Sequence, residues 1–369
     1  MKVPTNVLHF AGEKNLAPYS MFYDYYNQYR AGNGAKVEFS KTDDKGNPIS
    51  FEEKEALMNA ALKREILRVS SIQNFAEFPL EAWVTNPMLS WATFAVVSAM
   101  IDMILPESII DTIGAYAEVR TIGWGDTAVF DVEPRDLFVV SKAGHGQRST
   151  EVHKQFRGTI SITPVMHELT VAVSLYKVLA GQESLATFVS KVVRSLETEL
   201  STNVYDAFAS AAAALPTTAT TGLQVAGYSQ AALVRLCQQV TAWNQGAKAV
   251  IMGTQLALVN VLPDDGNYRY FLEDDYMKLG FVKSAFGFDV IALPQVADLV
   301  TPFGLRLANE RLWILSPSSQ KLIKVVLEGS TLSNTDSTFA NANLLQKSTM
   351  WKSWGAGVAT NSVAGVLTI

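Results

Sequence analysis

The sequence has little of what disulfide-linked, membrane-spanning or metal-binding proteins need. It contains one cysteine, Cys237, and four histidines in 369 residues. A single cysteine excludes an internal disulfide and is typical of a reducing cytoplasm. Cys237 falls on the apolar side of a predicted helix, so we expect it to be buried and inert. The most apolar window, 91–105, is interrupted by Asp102 and is shorter than the roughly twenty residues that cross a bilayer. We therefore expect no membrane partner.

Motifs of catalysis and ligand binding are also missing. There is no Gly-x-x-x-x-Gly-Lys-Ser/Thr phosphate loop, no dinucleotide-binding Gly-x-Gly-x-x-Gly between a strand and a helix, and no His-Glu-x-x-His helix. Ser229 stands in a segment similar to a nucleophile elbow, but the second glycine is missing and a helix N-cap explains it better. Asp264 and Asp265 fit a turn better than a calcium loop. We expect no enzyme activity, no cofactor and no metal, and solvated positions for the four histidines, His9, His145, His153 and His167.

Size and charge restrict the remaining classes. A chain of this length can form two or three domains. A net charge of −5 disfavours a protein whose whole surface binds nucleic acid. The first ten residues lack a positively charged start before an apolar block, so secretion is not expected.

The chain does contain one unusually long amphipathic segment, between Gly181 and Pro216. Its apolar residues recur every three or four positions, which predicts a single helix that ends before Pro216. At about 1.5 Å per residue such a helix is roughly 45 Å long, well beyond the usual 10–14 residues. Its polar face includes Arg194 and Glu197, which are close enough to pair. Periodicity alone fits a core helix of an α/β enzyme equally well. The apolar positions are Leu185, Phe188, Val189, Val192, Val193, Leu196, Leu200, Val204, Tyr205, Phe208 and Leu215.

The segments before this helix alternate as strands do. We predict strands over 116–122, 128–132, 137–140 and 158–164, with a polar tip at 141–155 between the last two. This pattern predicts a long two-stranded hairpin. Because an isolated hairpin is marginal in water, we expect it to lie on another subunit.

The first 105 residues predict an extended arm that carries helical pieces. Ser50 and Glu53 form the pattern of a capping box at the start of one helix. A tyrosine-rich stretch, 19–29, predicts a contact with a neighbouring chain, since aromatic residues anchor interfaces.

The segments after the long helix predict a compact α/β module and then a set of strands. The module combines a helix over 229–244, a strand over 247–252, a short helix after the cap Thr254, and a strand over 287–294. The final strands are predicted at 312–315, 322–327 and 363–369.

This order of elements resembles the tailed-bacteriophage major capsid proteins of the Hong Kong 97-like type. Residues 156–179, with Phe-Arg-Gly-Thr-Ile-Ser-Ile-Thr-Pro at their start, are similar to the returning strand of the family's hairpin as it enters the spine helix. Residues 249–259 resemble a strand that ends at the cap of a short helix. Residues 286–294 resemble the family's glycine, strand and proline sequence.

The resemblance implies an α+β fold in five parts. These are an N-terminal arm with helical segments (1–105), an extended β-hairpin with the start of the peripheral domain (106–180), the spine helix (181–220), an axial domain (221–305) and returning strands (306–369). In the family, the stretch that corresponds to the first part can be removed during maturation.

The resemblance also implies a function. The chain would assemble as hexamers and pentamers into an icosahedral head around double-stranded DNA, and would be made in the host cytoplasm and found in the virion. Expected partners are further copies of the chain, a portal protein, a scaffolding protein, decoration proteins and DNA bound without sequence preference. An encapsulin-type compartment shell is the alternative, and an α/β hydrolase is a more distant one. The candidate contacts between subunits are Lys142, Gly144, His145, Arg148, Arg157, Arg194 and Glu197. Some relatives cross-link a lysine of the hairpin to an asparagine, but no asparagine here can be assigned that role.

Overall fold

The computed structural model describes most of the chain. The described residues are 4–12, 15–32, 50–72, 86–113, 117–132, 157–174, 177–178, 182–213, 215, 217, 222–261, 279–316, 321, 323–335, 346–358 and 362–369. Within them the helices are α1 (Thr5–Ala11), α2 (Ala17–Gly32), α3 (Phe51–Ser70), α4 (Pro87–Ile113), α5 (Leu185–Ala213), α6 (Gln230–Trp243) and α7 (Gln255–Leu258). The predicted long helix is therefore confirmed as α5, which has 29 residues.

A four-stranded sheet forms the platform on which the helices pack. Its order is β1 (Ala117–Ile122), β10 (Ile323–Thr335), β11 (Gln346–Val358) and β4 (Val165–Val173). The β1–β10 pair is parallel and the other two pairs are antiparallel. Because side chains alternate along a strand, Val325 and Leu327 face the helices, whereas Val326 faces away from them. Strand β11 was not predicted, and β10 extends eight residues beyond its predicted end at Leu327.

Two further strands cover the other face of that sheet. Strands β2 (Ala128–Val132) and β3 (Gly158–Ile162) pair in antiparallel register, from Ala128 opposite Ile162 to Val132 opposite Gly158. Phe130 and Ile162 are buried against Val326. This is the base of the predicted hairpin, while its tip, 141–155, lies outside the described residues.

The α/β module contains the second sheet. Its order is β5 (Gln224–Ala226), β12 (Gly365–Thr368), β9 (Arg311–Leu315), β6 (Val250–Gly253), β8 (Phe288–Ala292) and β7 (Ser284–Ala285). Helix α6 packs on one face through Leu233, Leu236 and Val240. On the opposite face, Trp313 packs against Phe208 of the spine helix α5, with ring centroids 5.3 Å apart. The sheet therefore lies between α6 and the carboxyl end of α5.

The described helices of the N-terminal region do not form an extended arm. Tyr19, Phe22, Tyr25 and Tyr26 of α2 are fully buried and belong to the same core as α5. The prediction that the tyrosine-rich stretch contacts a neighbouring chain is wrong for these residues, because its period also fits a helix with one buried side. The predicted boundary at residue 105 falls inside α4, so the helices before it and the sheet after it share one core.

Helix α4 is longer than the apolar window predicted from the sequence. Its segment Pro87–Ile110 is long and apolar enough to cross a membrane, so the expectation that it is too short was wrong. Within the subunit, however, 83% of its most apolar window is buried. Helix α4 packs on β10 and on α3 and α5, as a central core helix does.

Candidate assembly framework

The start of the spine helix α5 is fixed by side chains of α3, which packs against it. The first turn of a helix leaves backbone N–H groups without partners inside the helix. The Asn59 side chain of α3 accepts a hydrogen bond from the Ala186 backbone at 3.0 Å, and Ser184 Oγ accepts one from Thr187 at 3.3 Å. Thr187 Oγ1 also donates to Glu55 of α3 at 2.6 Å. The N-terminal region therefore sets where the spine helix begins.

The middle of the spine helix is held by a buried carboxylate. Glu197 is only 7% exposed and accepts hydrogen bonds from the Tyr26 hydroxyl and, at 3.2 Å, from Arg30 of α2. Arg30 also donates to Ser108 of α4 at 3.2 Å. Glu197 was predicted on an exposed polar face and as a contact between subunits. That prediction is wrong, because α2 covers this part of the helix and uses the carboxylate inside the subunit.

A second tyrosine–glutamate pair joins α2 to α3. The Tyr19 hydroxyl donates to Glu65 at 2.9 Å, and Arg68 donates to the same carboxylate at 2.6 Å. Burial, and then the negative charges of Glu65 and Glu197, raises the pKa of Tyr19 and of Tyr26 far above the usual value of 10. Both phenols therefore remain protonated donors to these carboxylates throughout the ordinary pH range.

Among the described residues, the most deeply buried ion pair lies where α4 crosses β10 and β11. Lys352 Nζ is 2.7 Å from Asp102 Oδ1, and the two side chains are 4% and 5% exposed. Asp102 also accepts hydrogen bonds from the backbone N–H and hydroxyl of Thr331 and from Asn6 of α1. Lys352 donates in turn to the Gly329 carbonyl at 2.7 Å. The charges are thus paired and hydrogen-bonded, as buried ions must be.

The residues of β10 that bond to Asp102 and Lys352 lie at a β-bulge. The register between β10 and β11 shifts between Glu328 and Leu332. At Gly329 the backbone has φ 56°, and an added Cβ would lie 2.2 Å from the Trp124 indole nitrogen, so only glycine fits. At the bulge, the Thr331 N–H bonds to Asp102 of α4, and the Gly329 carbonyl accepts from Lys352 of β11. Lys352 and Thr331 were not predicted as partners of Asp102, and the one signal in the sequence was this lone aspartate in an apolar run.

The base of the hairpin is pinned to the sheet by charged residues. Glu118 accepts hydrogen bonds from Lys324 at 2.6 Å and from Arg120 at 2.8 Å. Burial opposes ionisation of Glu118, but these hydrogen bonds and positive charges prevail and lower its pKa. The Arg120 guanidinium lies 4.4 Å from the centre of the Phe130 ring. Strand β2 at the base of the hairpin is therefore held in a defined position on the sheet.

The predicted contact residues occupy different environments. Arg157 is exposed at the start of β3 and pairs with Asp131 at 2.7 Å. Arg194 is on the exposed side of α5. The remaining hairpin candidates, Lys142, Gly144, His145 and Arg148, lie outside the described residues.

The α/β module has the local structure that its sequence predicts. Ser229 Oγ accepts a hydrogen bond from the Ala232 N–H and caps α6, and Thr254 Oγ1 caps α7 in the same way through Ala257. Cys237 is buried, and burial raises the pKa of its thiol to about 12. Cys237 is thus a packed core residue, as predicted.

The described parts of the chain contain no group of three or more His, Cys, Asp or Glu residues that could hold a metal ion. One histidine differs from its expected solvated position. His167 lies on β4, and its ring stacks 3.8 Å from that of Trp354 on β11.

The solved structures similar to this chain include capsids and a virus-like particle. One, described as the capsid of a native GTA particle, is 14% identical, covers 70% of this chain and 89% of its own, and gives a TM-score of 0.48. The mature capsid of bacteriophage PhiM1 is 10% identical, with coverages of 69% and 85% and a TM-score of 0.43. A virus-like particle from Pyrococcus furiosus is 10% identical, with coverages of 71% and 97% and a TM-score of 0.38. No curated protein matches the sequence.

A family comparison identifies the chain directly. The model of the family described as "SPbeta prophage-derived putative capsid protein YonB" matches residues 50–368, which include the hairpin base, the spine helix, both sheets and the α/β module. The N-terminal helices α1 and α2 precede the matched region. The chain therefore belongs to this family of phage capsid proteins, and its described helices and strands form an α+β fold.

Proposed function

We propose that this chain is the major capsid protein of a tailed phage, and that it assembles as hexamers and pentamers into an icosahedral head around double-stranded DNA. The observation that carries the proposal is the spine helix α5. It packs along its length against α2 and α3, against β11 and against the module sheet, and so joins the N-terminal helices, the four-stranded sheet and the α/β module. Contacts between a projecting element and the next rigid body repeat around a ring and close a shell.

The proposal assigns the parts of the subunit to roles in assembly. The hairpin, with Lys142, Gly144, His145, Arg148 and Arg157, contacts a neighbouring subunit, and exposed Arg194 contributes a further contact on α5. The α/β module surrounds the local symmetry axes. The chain acts as a structural protein without catalytic activity. A portal protein at one vertex, a scaffolding protein and decoration proteins are its proposed partners, and assembly takes place in the host cytoplasm.

Electron microscopy of the purified protein tests the proposal. We expect rings, shells or tubes, and shells recovered from a phage-producing host should contain DNA. A compact monomer at high protein concentration would contradict the proposal. Shells that hold a co-purifying enzyme in place of DNA, with no portal or terminase encoded nearby, would assign the chain to the encapsulin-type alternative.

A further inference from the structure

Four apolar side chains are exposed together on one loop of the α/β module. The loop, residues 297–305, lies between β8 and β9 and is called the 297–305 loop below. Leu299, Val300, Phe303 and Leu305 are 59%, 89%, 105% and 58% exposed. Single exposed apolar residues are ordinary, but a contiguous group of them marks an interaction surface.

The 297–305 loop is closed by its own hydrogen bonds. Asp298 donates its N–H to the Gly304 carbonyl at 2.9 Å, and Asp298 Oδ1 accepts from the Val300 N–H at 3.0 Å. Ala297 and Leu305 form an antiparallel bridge. An added Cβ at Gly304 would lie 3.0 Å from the Thr301 carbonyl oxygen, closer than side chains normally pack. These contacts within the loop hold its backbone in a defined conformation.

Phe303, at the end of the loop, has an uncommon backbone conformation. Its φ is 61°, in the left-handed region that bulky residues avoid. Such a conformation persists where surrounding structure imposes it, and it is found at binding sites. Here it directs the most exposed ring of the described residues into solvent.

The base of the loop is attached to the spine helix. Arg306 forms a bidentate ion pair with Asp206 of α5. Its Nη2 lies 2.6 Å from Oδ2 and its Nε 3.1 Å from Oδ1 of the carboxylate. The Tyr205 hydroxyl of α5 donates to the Pro294 carbonyl at 3.3 Å. Leu307, next to the ion pair, is buried in the main core. The base of the loop is therefore attached to the helix that organises the subunit.

We propose that the 297–305 loop is a contact surface for a second copy of this chain, in which Phe303 and Val300 insert into the neighbouring subunit. This inference rests on the proposed shell-forming function. Four side chains cover much less than the roughly 800 Å² that each partner of a stable, isolated complex buries. A contact of this size is sufficient when it is repeated around a closed ring, where every subunit both gives and receives it. Keeping the loop rigid before contact lowers the entropy lost when it docks.

The first test removes the apolar side chains and measures assembly. In the double variant Val300→Ser, Phe303→Ser, we expect the protein concentration needed for shell formation to rise at least tenfold, with an unchanged circular dichroism spectrum and melting temperature. Leu57→Ser on α3, where the native side chain is 52% exposed, is the matched control and should assemble as the wild type does. Equal assembly of all three proteins, or an equal loss in the double variant and the control, would overturn the inference.

The second test identifies what the loop touches. A photo-crosslinking phenylalanine analogue at position 303, activated in assembled shells, should join two copies of the chain. Crosslinks only within one chain, or only to lipid or another protein, would refute the contact with a second copy. The proposed function has its own readout, since wild-type protein that forms no shell contradicts that function, whereas shells unaffected by the loop variants contradict this inference alone.

Discussion

Lys352 Nζ lies 2.7 Å from Asp102 Oδ1 in the interior of the subunit, although the two residues are 250 positions apart in the sequence. The pair joins the central helix α4 to β11. Through Thr331 and Gly329 it also stabilises the bulge in β10. The ion pair and its hydrogen bonds therefore link α1 and α4 to β10 and β11.

Replacing the lysine of this pair should strongly destabilise the subunit. Lys352→Met leaves the Asp102 carboxylate buried without its cation, and we expect a loss of about 3–5 kcal/mol in the free energy of unfolding. Adding Asp102→Asn should recover part of this loss, because the amide oxygen still accepts from Thr331 but carries no charge. Denaturant titration of the unassembled subunit measures both effects.

The exposed pair between Arg157 and Asp131 provides the comparison. Both side chains are more than half exposed, so Arg157→Ala should change the free energy of unfolding by less than about 1 kcal/mol. Similar losses for Lys352→Met and Arg157→Ala would show that the interior pair is not a structural determinant.

Stability should fall as the pH rises above about 10. In the unfolded chain, Tyr19 and Tyr26 ionise near pH 10, but in the folded subunit their raised pKa values keep them protonated. The folded state then binds more protons, and each tyrosine costs about 1.4 kcal/mol of stability per pH unit. Tyr26→Phe should reduce the slope of unfolding free energy against pH by about 1.4 kcal/mol per pH unit. Unfolding measurements between pH 10 and 12 test this.

The same variant should also be less stable at neutral pH, by about 1–3 kcal/mol, because Glu197 loses a buried donor. Phe22→Leu in the same helix is the control, since it removes packing but no ionisable group. It should lower stability and leave the pH slope at the wild-type value. A Tyr26→Phe slope equal to that of the wild type would contradict the assigned role of Tyr26.

Residues 5–32 should be retained in assembled particles. A chain that starts at Ser50 lacks α1 and α2, and so leaves Glu65 and Glu197 without their phenol donors and exposes apolar parts of α3 and α5. We expect this truncated chain to be insoluble or to lack cooperative unfolding, whereas a chain that lacks only residues 1–3 should behave normally. Mass spectrometry of particles should find peptides from α2, and their absence would support removal of the region during maturation.

Shortening the hairpin should affect the shell more than the subunit. Deleting residues 141–155 should leave the circular dichroism spectrum and subunit melting unchanged, because the base of the hairpin is attached to the sheet by buried Phe130 and Ile162 and by Arg120 of β1, which donates to the Val129 carbonyl. Shells of the deleted protein should dissociate at a lower temperature or denaturant concentration. Replacing the same residues by a glycine–serine segment of equal length separates side-chain contacts from the reach of the arm. Global unfolding of the deleted subunit would contradict this prediction.

Local patterns were sufficient to predict most of the elements. The period of the apolar residues predicted α5, and the capping box of Ser50 and Glu53 predicted the start of α3, which the structure confirms. Ser229 and Thr254 were likewise identified as helix caps. These features depend on residues within a few positions of one another, so neighbouring sequence determines them.

Strand β11 was missed for the opposite reason. Polar and small residues occupy much of Gln346–Val358, and the strand exists because β10 and β4 supply its hydrogen-bond partners on both sides. Whether such a segment joins a sheet depends on pairing with distant strands rather than on the preference of its own residues for β-structure.

The sequence by itself determined the order of most of the elements, the length of the spine helix and the resemblance to a capsid subunit. Only the tertiary structure decided that the helices α1 to α4 contribute to the core and that Glu197 is buried. It also decided that Asp102 pairs with Lys352. A helical period shows which residues share a face, but not which face another helix covers. The pairing of charges 250 positions apart depends on how the whole chain folds back on itself.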